Sequence, residues 1–99
     1  MKAFSNTEVN ELLVNKLRGW SSDGIFLTRN FKFKNFVHAF SFMTAVALEA
    51  EKMDHHPEWS NIYNSVTIKL NTHDAKGITQ LDFDLAESID RIFDSYTEI

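Results

Sequence analysis

Apolar residues near the start of the chain recur every three or four positions, which is the spacing of a helix with one buried face. They are Val9, Leu12, Leu13 and Leu17. Ahead of them, Ser5 and Glu8 have the spacing of a capping box, in which each side chain bonds the other residue's backbone N–H. The pattern predicts a first helix from about Asn6 to Arg18 that covers a core.

Two later segments alternate apolar with polar residues, which is typical of strands that bury one face. In the first segment the apolar parity consists of Ile25, Leu27, Phe31 and Phe33. The second segment runs from Ile62 to Thr72, and its apolar parity consists of Val66, Ile68 and Leu70. Short edge strands also fit near Trp20 and Trp59, so the sequence predicts a small antiparallel sheet.

Between these strands, a second helix is predicted from Phe36 to about Asp54, with Asn35 as its cap. The segment from Asn35 to Leu48 has no charged residue, and its apolar and small residues occur on more than one side of the helix. Such a helix must be buried on more than one side, yet this one is too short and too polar to span a bilayer. A second copy of the chain is the simplest cover for the outer face, so we expect a homo-oligomer, a tetramer rather than a dimer.

A third helix is predicted after Thr79, which has capping-box spacing with Asp82. Its apolar face consists of Leu85, Ile89, Ile92, Phe93 and Tyr96. The order helix, strand, helix, strand, helix predicts an α+β fold in which a layer of helices packs on a small antiparallel sheet. A length of 99 residues, 43% of them apolar, suits one domain over residues 1–99.

Composition removes several classes of function. The chain has no cysteine, which excludes disulfides, thiolate nucleophiles and cysteine-based metal sites. Its net charge of -4 gives no basic field for phosphates, so we expect neither nucleic acid nor membrane as a direct partner. The stretch from Met1 to Asn10 is polar and resembles no secretion signal, which predicts a cytoplasmic location.

Three histidines, His55, His56 and His73, lie within 19 residues and in or beside predicted turns. Histidine both donates and accepts protons near neutrality, so the three could form a proton-transfer site. Glu51 precedes His55 by four residues, which places both on one face if the helix extends that far. His56 precedes Pro57, which disfavours helical geometry, so the two adjacent rings can point in different directions.

Each of these residues also has an ordinary structural interpretation. His55 and His56 could complement the helix C-terminus, and His73 could be an exposed residue at a strand end. Asp82 could serve only the helix cap, and Tyr63 could belong to ordinary sheet packing. Three imidazoles could also bind zinc with an open position, although the His-Glu-x-x-His spacing is absent.

Taken together, the motifs resemble those of the pterin-4a-carbinolamine dehydratases. The similarity rests on the block from Glu51 to Trp59, which contains His-His-Pro, and on the spaced segments 61–64, 72–74 and 77–79 with Asp82. It extends to Gly19-Trp20, to segments 31–36 and 39–44, and to Leu85-Ala86 with Ile89. Leu81 departs from the pattern, because members of the family often carry a basic residue there.

The resemblance implies three helices on one face of a four-stranded antiparallel sheet, assembled as a dimer or a dimer of dimers. It implies dehydration of 4a-hydroxytetrahydrobiopterin or a related carbinolamine to quinonoid dihydropterin, which supports tetrahydrobiopterin recycling and needs no metal or other cofactor. Carried over residue by residue, it places His55, His56 and His73 around the pterin. Pro57, Thr72 and Asp74 would then shape the pocket, and Glu51, Asp54, Tyr63 and Asp82 would orient the histidine rings.

Within this scheme we expect His55 and His73 to donate a proton to the leaving hydroxyl and His56 to lie nearest N5. An alternative is an oligomeric binding module that uses the apolar second helix, since some animal relatives also bind a transcription factor; any protein partner of this chain is unknown. A zinc-dependent hydrolase is the third hypothesis, and a measurement of carbinolamine dehydration separates the first from the other two.

Overall fold

A computed structural model describes residues 1–97, which form three α-helices and a four-stranded antiparallel sheet. The elements in chain order are α1 (Asn6–Lys16), β1 (Ser21–Ser22), β2 (Leu27–Lys32), α2 (Phe36–Met53), β3 (Glu58–Ile62), β4 (Ser65–Leu70), a 3-10 turn (His73–Ala75) and α3 (Gln80–Thr97). The strands lie in the order β1-β2-β4-β3, so β2 and β4 are the inner strands and β1 and β3 are the edge strands. The predicted α+β fold, with its two short edge strands, is confirmed.

Helix α1 begins where the capping residues predict. Ser5 Oγ accepts a hydrogen bond from Glu8 N at 3.2 Å, and Glu8 Oε1 accepts one from Ser5 N at 2.8 Å. The helix ends at Lys16, two residues before the predicted Arg18. It stops early because Leu17 leaves helical geometry, with φ -132° and ψ 63°, and the chain then turns into Trp20.

Strand β2, the first strand that the alternation predicts, is shorter than expected, because Ile25 does not belong to it. Ile25 is 56% exposed, whereas Leu27 and Phe31 are fully buried. The carboxylate of Asp23 accepts hydrogen bonds from the backbone N–H groups of Ile25 and Phe26, which makes a turn. The regular pleat therefore starts only at Leu27, and the expected burial of Ile25 is wrong.

Arg29 occupies a position on the core face of β2 that the apolar pattern passes over. Its Nη1 lies 2.9 Å from Asp90 Oδ1, and its guanidinium lies over the rings of Phe31 and Phe93. Trp20 Nε1 donates to the same Asp90 oxygen at 2.8 Å. The charge is accommodated at the core's edge because it is paired and packed on aromatic faces.

The predicted strand from Ile62 to Thr72 is in fact two pieces of a hairpin. β3 ends at Ile62, Tyr63 and Asn64 form the turn, and β4 begins at Ser65. Tyr63 adopts a positive φ of 50°, which few non-glycine residues do. Along β4, Val66, Ile68 and Leu70 are buried as expected. The pleat stops at Leu70, and Thr72 makes only an isolated bridge with Gly77.

Helix α2 is apolar on two sides. Its sheet-facing side buries Ala39, Phe42, Val46 and Ala50. Its other side leaves Val37 and Leu48 each 70% exposed, with Phe40 also exposed. Among the helices of the described residues, none is long and apolar enough to cross a membrane.

Candidate active site

The C-terminal end of α2 separates the two adjacent histidines. Asp54 takes the left-handed conformation with φ 52°, and its N–H and that of His55 bond the carbonyls of Glu51 and Ala50. Such a cap reverses the chain direction within a single residue. As a result, His55 is directed into the protein and is only 8% exposed, while His56 is exposed to solvent.

His55 is tied to the first turn of α3. Its Nε2 lies 2.6 Å from Oδ1 of Asp82, a carboxylate that is 0% exposed. A buried carboxylate is costly unless its oxygens are hydrogen-bonded, so its remaining partners decide what it can do.

The second oxygen of Asp82 accepts two further hydrogen bonds. Thr79 N–H donates to Oδ2 at 2.9 Å, and Thr72 Oγ1 donates to the same atom at 2.9 Å. With these donors on Oδ2, Asp82 is arranged as an acceptor that faces His55 Nε2. His55 is therefore held with Nδ1 as the ring nitrogen that has no hydrogen bond within the described residues.

His56 has a different carboxylate partner. Its Nε2 lies 2.9 Å from Glu51 Oε1, and both side chains are largely exposed. The four-residue spacing suggested that Glu51 would share a helix face with His55 instead. Because α2 ends at Met53 and Asp54 reverses the chain, His56 rather than His55 comes back to Glu51.

The third histidine, His73, follows Thr72, which is hydrogen-bonded to the His55–Asp82 pair. His73 and Asp74 begin a 3-10 turn directly after Thr72, and both are exposed. The turn is closed by hydrogen bonds between the backbones of Thr72 and Gly77 and by Lys76 at φ 55°. Thr72 is hydrogen-bonded to Asp82, and Asp82 is hydrogen-bonded to His55. His73 therefore directly follows a residue that is connected to His55 through Asp82.

The remaining predicted site residues differ in their placement. Pro57 is half-buried between His56 and the start of β3, and Asp54 is exposed at the α2 cap. Thr72 was expected to shape the pocket, but its hydroxyl is turned to Asp82 and Thr79 and the residue is buried. Tyr63 lies in the hairpin turn at the far end of β3, about 20 Å along the strand from Pro57, so within one chain it does not approach His55 or His56.

Thr79 also belongs to the hydrogen-bond network around Asp82, although the sequence identifies it only as a helix cap. Its Oγ1 accepts from Leu81 N at 3.2 Å and lies 2.7 Å from Thr72 Oγ1. The capping-box spacing with Asp82 was the available signal, but it gave no reason to connect the cap with a histidine. Within residues 1–97, no three acidic or histidine side chains are grouped so that they could hold a metal ion.

The site consists of two histidines whose Nε2 atoms face carboxylates and a third at a neighbouring turn. An imidazole that is oriented by a carboxylate can hold or release a proton at its other nitrogen. The arrangement is therefore suited to acid and base steps on a small molecule.

Comparisons with known proteins identify the family of the chain. A family model described as pterin 4 alpha carbinolamine dehydratase matches residues 2–92. A protein of Prochlorococcus marinus (strain AS9601), named "Putative pterin-4-alpha-carbinolamine dehydratase", is 55% identical over 92% of this chain and 94% of its own. A protein of the same name from Mesorhizobium japonicum is 55% identical over 79% of this chain and 82% of its own.

Solved structures extend the comparison to the fold. A transcriptional coactivator/pterin dehydratase from Brucella melitensis superposes with a TM-score of 0.87 at 46% identity, over 93% of this chain and 99% of that one. A pterin dehydratase-like protein identified as a RuBisCO assembly factor has a TM-score of 0.62 at 19% identity, over 74% and 84% of the two chains, which shows the fold alone. The family model, the relatives and the Brucella structure confirm the resemblance seen in the histidine motif: this chain belongs to the pterin 4 alpha carbinolamine dehydratase family.

Proposed function

We propose that this protein dehydrates a pterin 4a-carbinolamine, 4a-hydroxytetrahydrobiopterin or a close relative, to the quinonoid dihydropterin, and so supports tetrahydrobiopterin recycling. The observation that carries the proposal is the buried His55–Asp82 hydrogen bond of 2.6 Å beside two exposed histidines. Membership of the dehydratase family supports the same reaction.

The reaction needs one acid and one base. The C4a–O bond breaks, the hydroxyl leaves as water after it receives a proton, N5 loses its proton, and the C4a=N5 double bond forms. No electron passes to or from the substrate, so the atoms and charges balance with two proton transfers. Positioned imidazoles are the side chains best matched to such transfers near neutral pH.

The hydrogen bonds of the two paired histidines favour specific roles. The carboxylates of Asp82 and Glu51 each bind an Nε2 atom, which leaves Nδ1 of His55 and of His56 for proton transfer. We assign His55 and His73 to protonation of the leaving hydroxyl, since the Asp82 carboxylate orients the His55 ring through Nε2 and leaves Nδ1 as the atom that can pass on a proton. We assign His56 to removal of the N5 proton, with Glu51 orienting it.

The proposal is tested by replacing His55, His56 and His73 singly with Ala and following dehydration of synthetic carbinolamine. We expect losses of about 100-fold to 10,000-fold for general acid or base groups. His38→Ala is the matched control, because His38 lies on α2 against Tyr96 and away from the carboxylates. Full activity in all three site variants would overturn the assignment.

A second proposal concerns assembly, and the outer face of α2 supports it. Val37, Phe40 and Leu48 leave apolar side chains in water, which costs about 25 cal/mol for each Å² that association could bury. We propose a homo-oligomer, a tetramer rather than a dimer, that covers this face. A binding module that uses the same face for another protein is the alternative function, and no turnover above the spontaneous rate together with a co-purifying protein would favour it.

A further inference from the structure

The hydrogen bonds behind His55 run in a single direction that starts from backbone donors at the N-terminus of α3. Leu81 N–H can only donate, and it donates to Thr79 Oγ1. The hydroxyl proton of Thr79 is then available for Thr72 Oγ1 at 2.7 Å. The hydroxyl proton of Thr72 in turn goes to Asp82 Oδ2 at 2.9 Å.

A second backbone donor enforces the same direction at the carboxylate. Thr79 N–H donates to Asp82 Oδ2, so that oxygen receives two protons in hydrogen bonds and has none to give. The first turn of a helix also favours negative charge near its N-terminus. Both effects keep Asp82 an acceptor towards His55.

This direction matters because the two tautomers of a neutral imidazole act through opposite nitrogens. An acceptor at Asp82 Oδ1 holds the proton of His55 on Nε2 and leaves the lone pair on Nδ1. If the hydroxyl of Thr72 turned away, Asp82 Oδ2 would lose one of its two donors, the carboxylate would be held less firmly, and the preference at His55 would weaken.

We propose that Thr79 is a positioning residue whose hydroxyl, acting through Thr72 and Asp82, fixes His55 as the Nε2–H tautomer with Nδ1 as its acting atom. This inference rests on the proposed dehydration for its kinetic consequence, but not for its structural one. The four side chains joined by these hydrogen bonds are all buried: His55, Thr72, Thr79 and Asp82. Solvent therefore does not replace a lost donor easily.

The test reads the tautomer directly from the ¹⁵N chemical shifts of the His55 ring by NMR. We expect the unmodified protein to show the neutral ring protonated at Nε2. In Thr79→Val, which keeps the branched shape but removes the hydroxyl, we expect a mixture of tautomers. Thr79→Ser should restore the original pattern, because it restores the hydroxyl.

Two further variants separate positioning from simple structural support. Ser5→Ala removes the cap of α1 and should leave the His55 shifts unchanged, so it controls for the loss of a helix cap. Thr72→Val breaks the chain next to Asp82 but leaves the Thr79 cap of Leu81 intact, so it tests the inference even if Thr79→Val does not fold. It should produce the same mixture of tautomers.

Kinetics give the second measurement. Thr79→Val should lower kcat for carbinolamine dehydration by about 10-fold to 100-fold, as for partners that orient metal-binding imidazoles, and should change KM little because Thr79 acts through other residues. An unmodified protein with the Nδ1–H tautomer, or a Thr79→Val variant with an unchanged tautomer, would overturn the inference. A protein that shows the expected tautomers without dehydratase activity would overturn the proposed function and leave the inference standing.

Discussion

His55 Nε2 and Asp82 Oδ1 lie 2.6 Å apart although 27 positions separate the two residues in the sequence. One stands just beyond the C-terminus of α2 and the other in the first turn of α3. The contact joins two helices at the point where the third histidine's turn also begins, so the site depends on tertiary packing and not on one local motif.

The first prediction concerns Asp82. In Asp82→Asn, the amide oxygen can still accept from Thr79 N–H, and the amide nitrogen then faces His55 and favours the wrong tautomer. We expect the rate of dehydration to fall about 100-fold or more, and the free energy of unfolding to fall by about 1–3 kcal/mol. Stopped-flow kinetics and urea unfolding measure the two effects. Asp84→Asn is the control, because Asp84 is exposed and bonds only Gln80 within the described chain, and it should change neither quantity much.

The second prediction concerns Glu51, whose hydrogen bond with His56 is exposed. Exposed pairs of this kind contribute about 0–1 kcal/mol, so Glu51→Gln should leave the free energy of unfolding almost unchanged. The rate of dehydration should fall by about 10-fold, the low end of the range for partners that orient an imidazole, since His56 keeps its place and loses only orientation. Glu49→Gln, which weakens a contact with Lys52 instead, serves as control. A loss as large as that in Asp82→Asn would show that burial does not decide the importance of these two carboxylates.

The third prediction concerns the outer face of α2. Leu48→Glu places a charge on a side chain that is 70% exposed in one chain, so it should not unfold the protein. If copies of the chain cover this face, the charge should shift the assembly to smaller species, which light scattering detects. Val14→Glu is the control, because Val14 is also exposed but lies on α1. A monomer for the unmodified protein at micromolar concentration would contradict the proposed assembly.

The fourth prediction uses two carboxylates with opposite pKa shifts. Burial raises the pKa of Asp90 above 3.8, although Trp20 and Arg29 both donate to its oxygen. The folded state therefore binds this proton more tightly than the unfolded state, and the stability due to Asp90 increases as the pH falls through its raised pKa. Relative to Asp90→Asn, the unmodified protein should gain free energy of unfolding as the pH falls from neutral through the raised pKa of Asp90.

Asp23 provides the opposite sign. The backbone N–H groups of Phe26 and Ile25 hold the pKa of Asp23 below 3.8. Its contribution to stability is present above that value and is lost as the pH falls through the lowered pKa. Relative to Asp23→Asn, the unmodified protein should therefore lose stability on acidification. Urea unfolding measured from neutral pH to below the ordinary aspartate pKa of 3.8 records both differences, and slopes of the same sign would contradict the two assignments.

The helix starts were predictable because local hydrogen bonds determine them. Ser5, Asn35 and Thr79 each stand immediately before the first residue of their helix. The hairpin turn was not predictable, because the apolar alternation continues through it and a tyrosine at positive φ gives no signal in the sequence. Arg29 was missed for a related reason, since its partner Asp90 lies 61 positions away.

The sequence predicted which residues form the site better than it predicted which of them are hydrogen-bonded to each other. Short-range spacing brought His55, His56 and Asp82 to attention, but Glu51 was associated with His55 because a continuing helix would place them together. The left-handed conformation of Asp54 reverses that pairing. Aspartate tolerates this conformation better than most residues do, but its identity alone does not show where the helix ends. The second role of Thr79 depends on its contact with Thr72 across two elements, which only the folded chain supplies.

The edge hairpin formed by β3 and β4 lies entirely between His55 and Asp82 along the chain. Its pairing therefore fixes how far apart the two ends of this loop are when the helices dock. A slip of one residue in β3 would displace its start by about 3.4 Å and turn its side chains to the opposite face. The first effect exceeds the 2.6 Å that joins His55 Nε2 to Asp82 Oδ1, so a slip would disturb this hydrogen bond. Catalytic activity therefore depends on the register of the sheet as well as on the site residues themselves.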